Sequence, residues 1–420
     1  MRTRRGQQHG EDAVQAIIAS RLEAVGCDVE VVEYDPTKVP VVGEFADVIA
    51  GNPERRKAVV GRLPATDTSL SSLLIFAHPD GEPVANTDTW SHAPFDGQIE
   101  TGRLYGWGVS DDLAGCAAAI LAIERTSADP TLRGELVFAS TPSKRYARGV
   151  AHLLHEGLRA NGALYLHPAE SGQGMNEIKA VASGHLELIV TVTGKQPPTT
   201  EPSQTAFSHL GVNPIDKALV VRDALMALAD RRAARIRHPL IEAEVGRATN
   251  LHVSSIICGN MMKLARLREQ CGMGCGLSFP PGQTMREVQD EVESAINEAA
   301  SGDPWLKDNP PEIRWRSGVT GAEVLKEHRL WRVSSECVSQ STGIDPRVNP
   351  MHTSSDIRNP MIEAGIPCVG LGCLGGDLSQ NGKHDEWVDV ADFERMVDVT
   401  AAIATMWCQD QPQDAPKSIR

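Results

Sequence analysis

No stretch of the sequence is apolar for long enough to span a bilayer, and the basic N-terminus, MRTRRGQQHGEDAV, has no apolar segment behind it of the sort a secretory signal needs. Nor is there a basic excess. A net charge of -14 and a pI near 5.4 argue against nucleic acid and anionic membranes as partners, because both need a basic face. Any anion-binding site must then be local. Disulfide-framework spacing is missing as well: the nine cysteines are odd in number and scattered, which suits a reducing compartment. Cys271 and Cys275 form a CxxxC, but no second Cys or His pair answers it, so they read as buried thiols rather than a zinc site. Internal repeats and low-complexity tracts are absent. A soluble, cytoplasmic protein is the expectation.

At 420 residues, with 41% apolar side chains, the chain is long enough for two domains with real cores. Apolar residues at Val14, Ile17, Ile18, Leu22 and Val25 form a helical stripe stopped by Gly26. From there to Gly162, short apolar runs alternate with helical text: Leu73 to Ala77, Glu135 to Ala139 and Ala163 to Leu166 as strands, with helices after Asp112 and near Ala147 to Ala160. This alternation predicts an α/β domain with a sheet flanked by helices on both faces. After Glu170 the texture changes to β-α-β-β-α order, with strands at Leu186 to Val192, Leu251 to Cys258 and Cys275 to Phe279 and helices at Asp216 to Ala234 and after Thr284. The α/β text then returns, closing with a helix over Asp392 to Trp407.

The chain is organised around Leu73 to Ala119. An apolar strand delivers a His-x-Asp triplet, His78 and Asp80, at the end where open α/β sheets gather ligands. Farther on, Asp111 and Asp112 precede an Ala-rich helix whose first N–H groups favour an anion. Two such points facing each other make a metal site plausible.

The surrounding residues, Trp90, Pro94, Phe95, the run Gly102 to Gly108, and Ser110-Asp111-Asp112, resemble the opening motifs of the M20 family of metallohydrolases, which includes aminoacylases, carboxypeptidases and deacylases. Later pieces follow in the family's order: Glu170, GVNPI at Gly211 to Ile215, TSSDIR at Thr353 to Arg358, and His384-Asp385-Glu386. The resemblance implies a catalytic domain with a mixed sheet, residues 1–183 and 305–420, and an inserted α+β lid and dimerisation domain, residues 184–304, through which a homodimer or higher homo-oligomer forms. It also implies that His78, Asp111 and Glu170 hold one divalent metal, manganese, zinc or cobalt, and that His384 falls on a ligand of a second. One imidazole and two carboxylates leave positions open for water and substrate, as a catalytic site requires. Asp80 would accept the spare N–H of His78 and fix its tautomer.

The pattern also breaks. Counting back from Gly149, the family's Glu-Glu pair, general base and second-metal ligand, falls on Ser143 and Lys144. A serine alone cannot take a proton from water near neutral pH, and a charged lysine cannot ligate a metal. Lys144 is expected to place its ammonium where the second metal would sit, pairing with Asp111 or the substrate and leaving a one-metal enzyme. His384 then joins the first metal or serves as an acid-base group. The family's lid histidine, which is donated across the dimer to the substrate, falls on Gln204, with His209 nearby but out of register, so these two are the expected substrate-binding candidates of the lid; Trp107, Leu113 and Ala114 also depart from the usual residues.

A metal lowers the pKa of bound water to roughly 7, so a missing base is tolerable when the substrate is an activated electrophile. An electron-poor aromatic amine fits. Within the family the chain resembles the diverged branch that deaminates 5-nitroanthranilate hydrolytically to 5-nitrosalicylate and ammonia. The carboxylate of such an anionic small-molecule substrate would meet the metal or a cation, Lys144, Arg145, Arg148 or Arg358. The alternative is an amidohydrolase, an N-acyl amino acid deacylase or dipeptidase, with its base supplied elsewhere, for example by Glu82 or Glu386. A non-catalytic relative is disfavoured by retention of the first metal's ligands.

Overall fold

The computed structural model describes residues 6–47, 55–81, 87–168, 171–350, 355–376 and 384–412. Helix Gly6–Ala24 leads into an eight-stranded mixed sheet. Across the sheet the strands run Asp28–Tyr34, Arg56–Leu63, Leu136–Ser140, Leu73–Ala77, Gly162–Leu166, Cys368–Leu371, Glu177–Lys179 and Arg347–Asn349. Leu73–Ala77 lies parallel to both neighbours, and every one of its residues is buried. Such a run needs cover on both faces. Leu73, Ile75 and Ala77 enter one core with Ile120, Ile123, Met396 and Ile403. Leu74 and Phe76, pointing the other way as strand alternation demands, enter a second core with Val150, Leu154 and Ile357. The result is an α/β layer with helices on both faces.

The smaller, inserted α+β subdomain is built on a five-stranded antiparallel sheet. Its order is Asn250–Cys258, Gln270–Phe279, Gly184–Thr193, Glu312–Val319 and Glu44–Ala46. Leu186, Leu188, Val190 and Val192 alternate onto one face and pack against Val221 and Leu225 of helix Pro214–Arg235 and Val288, Val292 and Ile296 of helix Met285–Gly302. Each helix starts where its sequence provides a cap. The Asn213 side chain accepts from Ile215 N ahead of Pro214, and Thr284 and Glu287 form a reciprocal capping box.

Two differences from the sequence reading concern the subdomain's edges. Its sheet takes Glu312–Val319, beyond residue 304, and borrows Glu44–Ala46 from the beginning of the chain. EIRWRSGV is too polar to announce a strand, and a three-residue strand carries no period at all. Both owe their conformation to pairing with the apolar strand Gly184–Thr193 and its neighbour. Helix Gly149–His155 is also shorter than expected, ending ahead of Gly157, whose φ of 101° breaks the helix. Among the described residues, no helix is long and apolar enough to cross a membrane.

Helix Ala114–Ser127 can sit tight against the sheet only because Gly115 has no side chain. A Cβ there would collide with the Leu166 carbonyl oxygen and the Asp112 carboxylate. Gly115→Ala is therefore expected to lower the unfolding free energy by about 3 kcal/mol in urea titrations. An unchanged midpoint would show that this helix has slack.

Candidate metal centre and cleft

Parallel neighbours Leu73–Ala77 and Gly162–Leu166 end side by side, and each is followed by a histidine and a proline, His78-Pro79 and His167-Pro168. The two imidazoles therefore emerge at one edge of the sheet, 5.7 Å apart between ring centres. Between them lies Asp111. Its Oδ1 is 3.0 Å from His78 Nε2 and 3.1 Å from His167 Nε2. All three residues are buried, and their nearest donor atoms lie within 4.8 Å of one another, a group able to hold a metal ion. Two imidazole nitrogens and a carboxylate oxygen suit zinc, manganese or cobalt.

Asp111 is held by its main chain. It lies in a turn, Val109–Leu113, with the Asp111–Asp112 peptide in cis and Gly108 at a φ of 72°. Glu386, buried, closes over this turn: Oε1 accepts from Ser110 N at 2.7 Å and Asp111 N at 3.1 Å, and Oε2 from Gly108 N at 3.0 Å. Burial pushes the Glu386 carboxyl up to about 7 against the pull of those N–H groups. Burial also raises Asp111, but the hydrogen bonds from His167 and His78 outweigh it and hold the carboxyl well below the ordinary range. Asp112 turns the other way, its Oδ2 accepting from His78 N at 3.2 Å, and burial lifts it to about 6.

The imidazole His78 is oriented through Nδ1, 2.9 Å from the Asp80 carbonyl oxygen and 3.5 Å from the Asp80 carboxylate. Nδ1 thus faces both the main-chain oxygen and the carboxylate of Asp80. The Asp80 carboxylate also accepts from Arg56 Nη2 at 2.8 Å and from Ser143 N and Lys144 N at 2.9 Å each. It sets the turn that carries Lys144, whose ammonium contacts Asp111 Oδ2. His167 has a cation of its own: the buried Lys179 donates to the carbonyls of His167 and Pro168 at 3.1 and 3.0 Å.

Of the four ligands expected from the sequence, the structure brings together His78 and Asp111. Glu170 lies outside the described residues, as does Glu82. His384 is exposed at the surface and is not part of the group, while His167 is. The sequence did carry a signal for His167, since HPAE after one apolar strand repeats HPD after another.

Beside the metal centre a cleft of about 390 Å³ separates the two units. Ser143, Lys144, Tyr146 and Arg358 line it from the larger, and Phe45 and His185 from the smaller. Arg148 Nε and Arg358 Nη2 both donate to Glu44, at 2.7 Å each. Burial raises the Glu44 carboxyl, but the two guanidiniums overcome that and keep it low. Arg358 Nε and Nη1, both buried, have no acceptor among the described residues. The Arg145 side chain lies outside the described residues. Gln204, expected near the substrate, is instead buried within the smaller unit, accepting from Leu267 N at 2.9 Å and donating to Gln196 at 3.3 Å. His209 is exposed, and neither lines the cleft.

Residues 74–406 match the model of peptidase family M20/M25/M40. The chain is 24% identical over 381 residues to an N-formyl-4-amino-5-aminomethyl-2-methylpyrimidine deformylase of Bacillus subtilis, covering 86% of this chain and 84% of that one. It is 24% identical over 402 residues to a succinyl-diaminopimelate desuccinylase of Xanthobacter autotrophicus, covering 94% of each. Among solved structures it is similar to an M20 family metallo-carboxypeptidase from Sulfolobus solfataricus, with a TM-score of 0.68, 15% identity, and coverage of 95% and 94%. Human carnosine dipeptidase 1 gives a TM-score of 0.64 at 14% identity, with coverage of 94% and 90%. At these identities the structural likeness shows the fold.

Behind the centre, Arg56 is shared by two carboxylates, Asp80 and Glu11, the latter accepting at 3.1 and 2.8 Å. Burial, opposed by Arg56 and reinforced by Asp80, pushes Glu11 up to about 7 from 4.5. A carboxyl whose folded pKa is raised stabilises the fold fully below its unfolded value and loses that contribution as pH rises through the folded one. Stability should therefore fall between pH 4.5 and about 7 by at most about 3 kcal/mol from this group. Glu11→Gln is expected to flatten that decline in chemical denaturation at pH 5 and 8. Parallel curves for the two proteins would refute it.

Proposed function

The chain belongs to peptidase family M20/M25/M40, and from that premise we propose an enzyme that holds one divalent metal per subunit and opens the activated C–N bond of a small carboxylated aromatic. At the coarser level it is a metal-dependent hydrolase acting on amide-like C–N bonds. His78, Asp111 and His167 would hold the metal. When bound, the metal supplies Lewis-acid activation of water near neutral pH.

The observation that carries the finer reading is the Lys144 ammonium on Asp111. A fixed positive charge rests against the outer oxygen of the central carboxylate, on the turn where the family's resemblance calls for a second acidic ligand and a base. Lacking a carboxylate base on that turn, the site favours a substrate that is already electrophilic. In 5-nitroanthranilate the amino lone pair is delocalised into the para nitro group much as an amide nitrogen's is into its carbonyl. Attack by water at the ring carbon sends charge into the nitro group, and ammonia leaves to give 5-nitrosalicylate. The ring carboxylate has cations to meet in Lys144 and in Arg358, whose buried Nε and Nη1 have no acceptor among the described residues. Arg148, committed to Glu44, is better suited to shaping the wall.

Amide hydrolysis is the second reading, and the family match and the relatives support it better than the first. It is supported by the names of the relatives, a deformylase and a desuccinylase, which act on N-acyl groups. A homodimer through the smaller unit belongs to the same proposal, favoured by the edge strand Asn250–Cys258 with Ile256 and Ile257 exposed. A reducing compartment such as the cytoplasm suits nine free cysteines.

Metal-loaded protein is expected to release ammonia from 5-nitroanthranilate and to leave a panel of N-formyl amines, N-acyl amino acids and dipeptides intact. The reverse pattern selects the second reading. Elemental analysis with substrate present should find one metal per subunit, and two would sink the role given to Lys144. Lys144→Met should reduce kcat by roughly 100-fold.

A further inference from the structure

The turn that lost its acidic pair has recruited a carboxylate from elsewhere in the chain. Ser143 Oγ donates to Asp356 Oδ2 at 2.5 Å, and both residues line the cleft next to Lys144. The carboxylate is held in orientation. Its Oδ1 accepts from Asn359 Nδ2 at 3.1 Å, and its own carbonyl accepts from Asn359 N at 3.0 Å at the start of helix Arg358–Ala364. Ser143 is equally fixed, because its N–H is bonded to Asp80 at 2.9 Å. With its single hydroxyl proton committed to Asp356, Ser143 Oγ presents its lone pairs to the remaining space, one residue from the side chain that touches Asp111.

We propose that Ser143 and Asp356 form the proton relay of the hydrolytic step. A serine by itself is too weak a base, but one whose proton is already directed at a carboxylate passes on what it accepts. As the oxygen of water bonds to the substrate carbon, one of its protons goes to Ser143 Oγ while the serine proton moves to Asp356 Oδ2. As the C–N bond breaks, the same two transfers run backwards and place the proton on the departing nitrogen. The product keeps the hydroxyl, nitrogen leaves with the added proton, and both side chains end as they began. Asp356 thus supplies the acceptor that is missing from the turn, from a residue more than two hundred positions away.

The inference rests on the hydrolytic reading above, and the experiment separates the two. Using metal-loaded protein, kcat and KM are measured for whichever of 5-nitroanthranilate, N-formyl amines, N-acyl amino acids and dipeptides the wild type turns over. Asp356→Ala and Ser143→Ala are each expected to lower kcat by about 100-fold with KM little changed, and the double variant to be no slower than the slower single one. Formate added to Asp356→Ala should restore turnover in a saturable way, which a merely structural carboxylate would not produce. Asp356→Asn, which retains the contact with Asn359, controls for folding and should be as slow as Asp356→Ala. Retention of more than about half of kcat in either single variant, multiplicative losses in the double variant, or no response to formate overturns the relay. Failure of the wild type on 5-nitroanthranilate and on the whole panel overturns the hydrolytic reading and the relay with it.

Discussion

A single carboxylate, Asp111, is the constraint from which the rest of the site follows. One oxygen faces two imidazoles and the other an ammonium, in surroundings almost closed to water. Burying a charge is tolerated only when its lone pairs are met. Here His78, His167 and Lys144 meet them. Each partner comes from a different strand end or turn, so the geometry of the sheet edge, the cis turn and the Ser143–Ala147 loop must all agree before the carboxylate is satisfied. Local disagreement anywhere would leave a buried charge uncompensated.

Precision at that point is maintained by other acids acting on main-chain N–H groups. Glu386 grips the Gly108–Asp111 turn from above, and Asp80 grips Ser143 and Lys144 from below. Neither reaches into the cleft with a free oxygen. Both are positioning residues whose carboxylates bond main-chain N–H groups. Arg56 balances Asp80, and helix Gly6–Ala24 reaches the same network through Glu11.

How much of this was legible in the sequence depended on whether the signal was periodic or positional. Leu73–Ala77 and the alternation Leu186 to Val192 announce themselves through apolar patterning, and His78, Asp80 and Asp111 through their placement at element ends. Ser143 and Lys144 were found only because a family spacing could be counted from Gly149. His167 escaped notice although HPAE copies HPD, because adjacency of the two strands is a property of the sheet and not of the text. Gln204 and His209 were drawn to the substrate by register alone. In this subunit neither lines the cleft. The polar strands Glu312–Val319 and Glu44–Ala46 had no intrinsic pattern to read, since their partner across the ladder creates them.

That last strand changes how the molecule can move. By pairing with Ser317 to Val319, residues Glu44 to Ala46 stitch the beginning of the chain into the smaller sheet, and Glu44 is in turn gripped by Arg148 and Arg358. The inserted unit is thus moored at a third point besides the two where the chain enters and leaves it. A free clamshell swing would tear this mooring and strand a buried carboxylate between two guanidiniums. Any opening of the cleft that kept this mooring intact would turn about it as a pivot, with the wall nearest Glu44 held in place.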